Sequence, residues 1–129
     1  MKRFHRQGGF TLIELLIVII IIGILTAIAI PMFFSQRDKA KEAAVKGGVH
    51  SIELGVASYA VDNADLYPAT GTVNKASMAS YLDNWPQNPW TGAEMVDSLN
   101  AGDYTYTRTA VHFTLVGHGH DGVDVITAP

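Results

Sequence analysis

A long apolar run near the N-terminus constrains this chain more than any other feature. No charged residue occurs from Leu15 to Ile30, where Gly23 and Thr26 alone interrupt a run of Leu, Ile, Val and Ala. At about 1.5 Å of rise per residue, a helix from Phe10 to Ile30 would be about 32 Å long, close to the thickness of a bilayer's hydrocarbon core. The sequence therefore predicts a membrane-spanning helix over residues 10–31.

One carboxylate, that of Glu14, lies inside this apolar segment, four residues after Phe10. An acid at membrane depth costs about 2.5 to 3.5 kcal/mol on insertion scales, and such acids usually have a defined partner. The next basic residue along the chain is Arg37. We therefore expect the partner of Glu14 to lie upstream or on another chain. The alternative is a glutamate near the membrane interface whose carboxylate reaches the lipid headgroups.

The first nine residues are polar and basic. By the positive-inside rule, Lys2, Arg3 and Arg6 keep this end in the cytoplasm and place the rest of the chain outside. An ordinary secretory signal would instead be cleaved after its apolar region, behind small residues. Ala27 and Ala29 form a weak match to such a cleavage site, which stays open as the alternative.

This leader, the sequence Gly9-Phe10-Thr11-Leu12-Ile13-Glu14, the apolar run and Pro31 together resemble the class III signal of type IV pilins and type II secretion pseudopilins. The resemblance implies that a prepilin peptidase removes residues 1–9, cutting between Gly9 and Phe10, and methylates the new amine of Phe10. It also implies that Glu14 pairs with the Phe10 amine of a neighbouring subunit in a helical filament. The implied partners are further copies of the chain, the peptidase, an inner-membrane assembly platform and, before assembly, membrane lipid.

Two residues of the apolar segment should weaken its helix. Pro31 lacks a backbone donor, which predicts a kink, and Gly23 costs a helix about 1 kcal/mol relative to alanine. In the resembled family the segment between such a glycine and proline can lose helicity when subunits pack. Residues 23–31 are the candidate segment here, and a simply kinked helix is the alternative. Gly23 and Pro31 thus join Phe10 and Glu14 as predicted assembly residues.

Beyond Pro31 the helix is expected to continue as an amphipathic half over residues 32–62. Apolar residues recur at helical spacing and define one face: Val45, Val49, Ile52, Val56 and Tyr59. This face should bury against a globular head formed by residues 63–129. The Gly47-Gly48 pair predicts local softness, and Asp62 and Asn63 favour a turn that ends the helix.

The head is expected to contain one short helix, one rigid loop and three strands. Thr72 or Asn74 can cap a helix that carries Met78, Tyr81 and Leu82. The loop 83–92 is too rich in proline for a central strand; it resembles the Pro-Asp-Pro-Trp-Gly loop of major pseudopilins and is expected to cover the core. Alternating residues over 103–127, with Val111 in the second strand, predict an antiparallel β-meander. The predicted fold is α+β and pilin-like, with a long N-terminal helical spine packed on a small antiparallel sheet.

The last turn of the meander is the one stretch that resembles a chemical site. Residues 117–124 are similar to the Ser-x-Gly-x-Asp-Gly loop that binds calcium in major pseudopilins, with Gly117 at the serine position. Asp121 and Asp124 are candidate Ca²⁺ ligands. Because calcium takes six to eight oxygens, they would also require backbone carbonyls, water or a further carboxylate such as Asp103. A transition metal on His118 and His120 is a second interpretation. A glycine-rich hairpin with solvent-exposed histidines is the third, and we favour this metal-free form.

Composition and motifs narrow the function classes. Removal of the leader leaves six Lys and Arg against 12 Asp and Glu, and such an acidic chain argues against direct binding of nucleic acid. The chain has no cysteine, whereas many type IV pilins close a C-terminal loop with a disulfide and pseudopilins commonly do not. It lacks a nucleophile elbow, a phosphate-binding glycine loop and a metalloprotease motif, so we expect no enzyme.

Three functions remain. The first is a structural subunit of a type IV pilus or related filament that polymerises through its N-terminal helix after cleavage. The second is the major pseudopilin of a type II secretion or DNA-uptake machine, and the third is a monomeric, membrane-anchored binding module. For the filament functions we expect a cytoplasmic-membrane protein with its head outside the cytoplasm, which then enters a periplasmic or extracellular filament.

Overall fold

A computed structural model describes residues 8–129, so Lys2, Arg3 and Arg6 of the predicted leader lie outside the described part. The chain divides into two compact units, Met1–Gln36 and Arg37–Pro129. One long helix contributes to both units, and three strands follow it within the second. This arrangement confirms the predicted α+β fold with an N-terminal helical spine.

Helix α1 runs from Leu12 to Asp62 and is continuous through Gly23 and Pro31. Within the first unit every described residue is exposed, and the most apolar window of the helix has a mean hydropathy of 3.1. The helix is therefore long and apolar enough to cross a membrane. No other part of the described chain packs against the apolar residues of this window. A kink at Pro31 stays a prediction.

The C-terminal part of α1 buries the face that the sequence predicts. Val45, Val49, Ile52 and Val56 are fully buried, and Tyr59 packs at the edge of the same cluster. Gly48 is also buried here. An added Cβ at Gly48 would lie 2.7 Å from Met95 Sδ and 3.0 Å from Pro86 Cβ. A Cβ at Gly47 would meet no atom of the described residues within 4 Å. Close packing thus explains Gly48, and the predicted softness is not tested.

Three antiparallel strands form one sheet in the order β1-β2-β3. Their bounds are Tyr104–Arg108 for β1, Phe113–His118 for β2 and Asp124–Ala128 for β3. The meander is confirmed, and Leu115 pairs with Tyr106 on one side and Ala128 on the other. The second strand differs from the prediction at both ends. Val111 is exposed and precedes β2, while Gly117 and His118 belong to it.

The core of the second unit lies between α1 and the sheet, and two tyrosines anchor it. The buried hydroxyl of Tyr104 donates to the carbonyl of Val73 (2.8 Å), and that of Tyr106 donates to the carbonyl of Pro68 (2.9 Å). Burial disfavours the phenolate, so it raises the pKa of Tyr104 and raises the pKa of Tyr106 to about 12. These bonds tie the segment after α1 to the sheet.

No helix forms over residues 72–82, so the predicted short helix is wrong. Asn74 Oδ1 does accept a bond from the Ser77 N–H (3.0 Å), as a cap would. Helical bonds do form from the Met78 N–H to the carbonyl of Asn74 (3.0 Å) and from the Leu82 N–H to the carbonyl of Met78 (2.9 Å), but they are not joined into a continuous helix. The segment forms successive turns instead. Met78 is still buried, so the predicted apolar contact forms without the helix.

The loop 83–92 packs over the core as predicted. Trp85 is buried, and its Nε1 donates to the carbonyl of Met95 (2.9 Å). Asn88 is 3% exposed, and its Nδ2 donates to the carbonyl of Ala101 (2.8 Å) and to Asp103 Oδ1 (3.1 Å). Its Oδ1 accepts bonds from the N–H groups of the loop itself. Asn88 therefore fixes the loop to the segment that leads into β1.

Candidate processing and assembly site

The predicted cleavage site lies in exposed chain just before α1. Gly8, Gly9 and Phe10 are non-helical and exposed, and the Phe10 side chain is 90% exposed. A Cβ at Gly8 or Gly9 would meet no atom of the described residues within 4 Å. The Gly9–Phe10 peptide bond is thus open to an enzyme, and packing within the described chain does not require glycine at either position.

Thr11 and Glu14 form a capping box at the start of α1. The N–H and the hydroxyl of Thr11 both donate to Glu14 Oε2, each at 2.8 Å. In return the Glu14 N–H donates to Thr11 Oγ1 (3.3 Å). In the single chain the partner of Glu14 is therefore its upstream neighbour Thr11. Thr11 was not among the predicted assembly residues, although Thr-x-x-Glu before an apolar run is the known signature of a capping box.

The capping box leaves an acceptor beside the predicted cleavage point. Both bonds from Thr11 end on Oε2 of Glu14, which leaves Oε1 as an acceptor for a further donor. Gly8, Gly9, Phe10 and Glu14 together line a shallow, open recess of about 220 Å³. An anionic oxygen therefore lies close to the residue whose amine cleavage would release.

The other two predicted assembly residues lie farther along α1. At 1.5 Å of rise per residue, Gly23 is about 14 Å and Pro31 about 26 Å from Glu14 along the helix. Between them the Thr26 hydroxyl donates to the carbonyl of Ile22 (2.7 Å), four residues upstream. The structure thus brings together Gly9, Phe10 and Glu14, and it keeps Gly23 and Pro31 apart from them.

The candidate metal residues are held by hydrogen bonds and ion pairs. Asp124 Oδ1 accepts a bond from His118 Nδ1 (3.0 Å), and Asp121 Oδ2 lies 2.8 Å from His120 Nδ1. Asp103 is buried, and its carboxylate accepts three bonds, two from side chains and one from a backbone N–H. Within residues 8–129, no three His, Cys, Asp or Glu side chains come together as a ligand group. Calcium binding at Asp121 and Asp124 stays a prediction.

The two histidines of this turn differ in exposure. His120 is exposed as expected, but His118 is only 3% exposed, so the expectation of a solvent-exposed histidine is wrong there. The register of β2 against β3 shifts between Gly117 and His118. This irregularity breaks the alternation of the strand, so that Gly117 and His118 are both buried.

Comparisons with known proteins agree with this geometry. Residues 4–30 match the prokaryotic N-terminal methylation motif. The type II secretion system core protein G of Pseudomonas aeruginosa is 33% identical over 124 aligned residues, which cover 92% of this chain and 87% of that protein. This chain belongs to the core protein G family.

Proteins of the same name from other organisms match over similar lengths. Core protein G of Klebsiella michiganensis is 29% identical, with 94% of this chain and 89% of that protein aligned. The Vibrio cholerae protein is 27% identical, with 95% and 88% aligned. No solved structure matches the chain significantly.

Family membership confirms the resemblance to pseudopilins. Together with the methylation motif, it identifies a prepilin peptidase substrate and a filament-forming subunit. The exposed apolar part of α1 fits a subunit that is anchored in a membrane before assembly.

Proposed function

We propose that this protein is the major structural subunit of a type II secretion pseudopilus, and that it has no enzymatic activity. The observation that carries the proposal is the combination, in one helix, of an exposed apolar half and a capped Glu14 beside an exposed Gly9–Phe10 bond. A helix of this length that is apolar all round must be covered by lipid or by other helices. Lipid covers it before assembly, and further copies of the chain cover it afterwards.

Processing is the first step of the proposed cycle. A prepilin peptidase cuts between Gly9 and Phe10 on the cytoplasmic side and methylates the new amine of Phe10. The head then lies outside the cytoplasm, in keeping with the basic leader. The exposure of the bond and its position two residues before α1 support this step, because a peptidase needs accessible, non-helical backbone.

Assembly is the second step and depends on Glu14. Oε2 is engaged by Thr11 of the same chain, so Oε1 receives the cationic Phe10 amine of a neighbouring subunit. In the low dielectric of a helix bundle this attraction is strong, although desolvation offsets much of its net value. The pair therefore mainly fixes the alignment of each subunit against its neighbours, because a subunit without a matching partner leaves a buried charge unpaired. Gly23 and Pro31 then allow the helix to adjust as subunits pack.

A pseudopilus is favoured over a surface pilus because the match to core protein G extends through the head. The alignments cover 87% to 89% of relatives from three organisms, so they include more than the N-terminal motif that the two filament types share. The partners we propose are further copies of the chain, the peptidase and an assembly platform in the cytoplasmic membrane. The acidic processed chain makes nucleic acid an unsuitable partner.

Substitution of Glu14 tests this function. In cells that depend on this chain for secretion, Glu14→Gln should be processed and inserted in the membrane but should not form cross-linked multimers or support secretion. Thr11→Val is the matched control: it removes the capping hydroxyl, worth about 1 kcal/mol of helix stability, and keeps the carboxylate. We expect this control to assemble.

Two outcomes would contradict the proposal. If Glu14→Gln formed multimers at the wild-type level, the pairing of Glu14 with a neighbour's amine would be wrong. If it supported the cellular function without forming multimers, a monomeric, membrane-anchored binding module would replace the filament subunit.

A further inference from the structure

We propose that the β2–β3 turn is closed by a hydrogen-bonded chain of Thr105, His118 and Asp124 in place of a calcium ion, so that the head folds without metal. The sequence of this turn resembles a calcium-binding loop, but its residues are engaged differently. We call these three side chains the polar clasp.

The polar clasp joins all three strands of the sheet. Nδ1 of His118 in β2 lies 3.0 Å from Oδ1 of Asp124 in β3, and its Nε2 lies 3.1 Å from Oγ1 of Thr105 in β1. Because a carboxylate only accepts, Nδ1 is the donor to Asp124, and Nε2 of the neutral imidazole accepts from the Thr105 hydroxyl. His118 is 3% exposed and both its ring nitrogens have partners, so the clasp satisfies the polar atoms of a buried side chain.

Gly117 leaves no room for the serine side chain that the resembled loop has at this position. An added Cβ at Gly117 would lie 2.7 Å from Val49 Cγ2, 2.9 Å from Val45 Cγ1 and 3.0 Å from Ile126 Cγ2. Those three side chains are β-branched and have little rotamer freedom to move aside. Close packing of β2 on α1 thus occupies the space in which a serine side chain would stand.

The carboxylate that could complete a calcium site is also engaged elsewhere. Asp103 Oδ1 accepts bonds from Asn88 Nδ2 (3.1 Å) and the Val96 N–H (3.2 Å), and Oδ2 accepts from Ser98 Oγ (2.7 Å). Asp103 is 4% exposed, and its bonds hold the loop 83–92 against the segment before β1. A metal that recruited this carboxylate would have to break those contacts.

The backbone of the turn is closed by its own bonds. The Gly119 N–H donates to the carbonyl of Val123 (2.7 Å), and the Gly122 N–H donates to the carbonyl of Gly119 (3.2 Å). Asp121 has a φ of 62°, and its exposed carboxylate lies beside His120. Asp121 and Asp124 are the two carboxylates of the turn, so most of the six to eight oxygens that calcium takes would have to be backbone carbonyls or water. The carbonyls of Gly119 and Val123 already accept bonds within the turn.

Thermal unfolding of the processed full-length chain in detergent micelles tests the proposal, with tryptophan fluorescence as the readout. The chain is stripped with EGTA and then given calcium chloride. We expect the same melting temperature in both conditions. A specific site saturated about 100-fold above its Kd would raise the melting temperature of a domain this size by more than about 10 °C. A fall in EGTA that calcium reverses would overturn the proposal.

Variants separate a hydrogen bond from a metal ligand. Asp124→Ala removes the acceptor and should lower the melting temperature by about 4–8 °C, while Asp124→Asn keeps an acceptor oxygen and should lose less than half of that. In a His118→Ala background, Asp124→Ala should have little further effect, because the two side chains act as one unit. If Asp124→Ala lowered the melting temperature equally in the wild-type chain and in the His118→Ala chain, the polar clasp would be contradicted.

Two further variants serve as controls. Asp121→Asn should leave the melting temperature unchanged, because asparagine also tolerates the left-handed backbone at this position (φ 62°), whereas a calcium site would lose its response to the ion. Gly117→Ser restores the serine of the resembled loop and should lower the melting temperature through its clash with Val45 and Val49, without creating a response to calcium. A calcium-dependent rise in the melting temperature of Gly117→Ser would show that the packing of this chain does not exclude the ligand.

Discussion

The two parts of helix α1 have similar apolar residues and opposite surroundings. Through Gln36 its side chains are exposed, including a run of Ile and Leu residues that are about half exposed each. In the second unit, Val45, Val49, Ile52 and Val56 are fully buried by the sheet and loops of the same chain. One part of the helix therefore obtains its cover from within the chain, and the other requires lipid or further subunits.

The polar residues of the two parts follow the same division. The first contains a single carboxylate, Glu14, which lies at the helix start beside the exposed, predicted cleavage site. The second surrounds its apolar face with charged residues, as expected for a helix whose opposite side meets water. One continuous helix can thus contain an assembly element and a folding element. The first has apolar residues on all its faces, and the second has them on one face only.

The largest effect is expected at the cleavage site. Gly9→Val should abolish processing and therefore assembly, because a β-branched side chain would stand at the bond that the peptidase must bind. Gly8→Val is the matched control, since a Cβ at either position meets no atom of residues 8–129 within 4 Å. Electrophoretic mobility and N-terminal sequencing measure the outcome, and normal processing of Gly9→Val would place the cleavage elsewhere.

Removal of the first unit should convert the protein from a membrane-anchored to a soluble one. A chain that begins at Arg37 retains the buried face of α1 and the whole sheet. We expect a folded monomer by size-exclusion chromatography and circular dichroism, without detergent. Aggregation or loss of the fold would mean that the head depends on the apolar part, which would break the contrast between the two parts of α1.

The adjacent glycines of α1 should respond in opposite directions. Gly48→Ala should lower the free energy of unfolding by about 1–3 kcal/mol, because its Cβ would enter the space of Met95 and Pro86. Gly47→Ala faces open space and should raise it by about 0.5–1 kcal/mol through helix propensity. Chemical denaturation of both variants measures the difference. Equal effects would show that close packing does not explain Gly48.

The smallest effect at neutral pH concerns the buried tyrosines. Burial raises the pKa of Tyr106 from 10.0 to about 12 in the folded head, which favours the protonated form. The associated stability is complete below pH 10 and is lost as the pH rises towards 12. Tyr106→Phe should therefore show a flatter decline of melting temperature over this range. An unchanged decline would mean that Tyr106 does not titrate with unfolding.

The sequence predicted the parts of the fold that depend on periodicity. Spacings of three and four placed Val45 to Val56 on the buried face of α1, and alternation located the meander. It failed over residues 72–82, where separate turns with single helical bonds to the carbonyls of Asn74 and Met78 replace a continuous helix, a difference that apolar spacing does not report. It also missed the end of β2, because a register shift buries His118 out of alternation.

For the proposed assembly site, the sequence supplied the candidate residues and the structure supplied their contacts. The motif predicts Gly9, Phe10 and Glu14, and the Thr-x-x-Glu spacing carried the signal for the capping box. The turn at residues 117–124 was less accessible to sequence reasoning. Whether Asp124 and Asp103 face a metal or hydrogen-bond donors depends on long-range contacts with His118 and Asn88, which only the folded head brings together.

Intact-mass and N-terminal analysis of cross-linked multimers from native membranes tests the central claim most directly. The account predicts subunits that begin at N-methylated Phe10, and it predicts that cells lacking the prepilin peptidase contain only monomers that begin at Met1. Multimers whose subunits still begin at Met1 would contradict it, because assembly through the freed Phe10 amine and Glu14 would then be impossible.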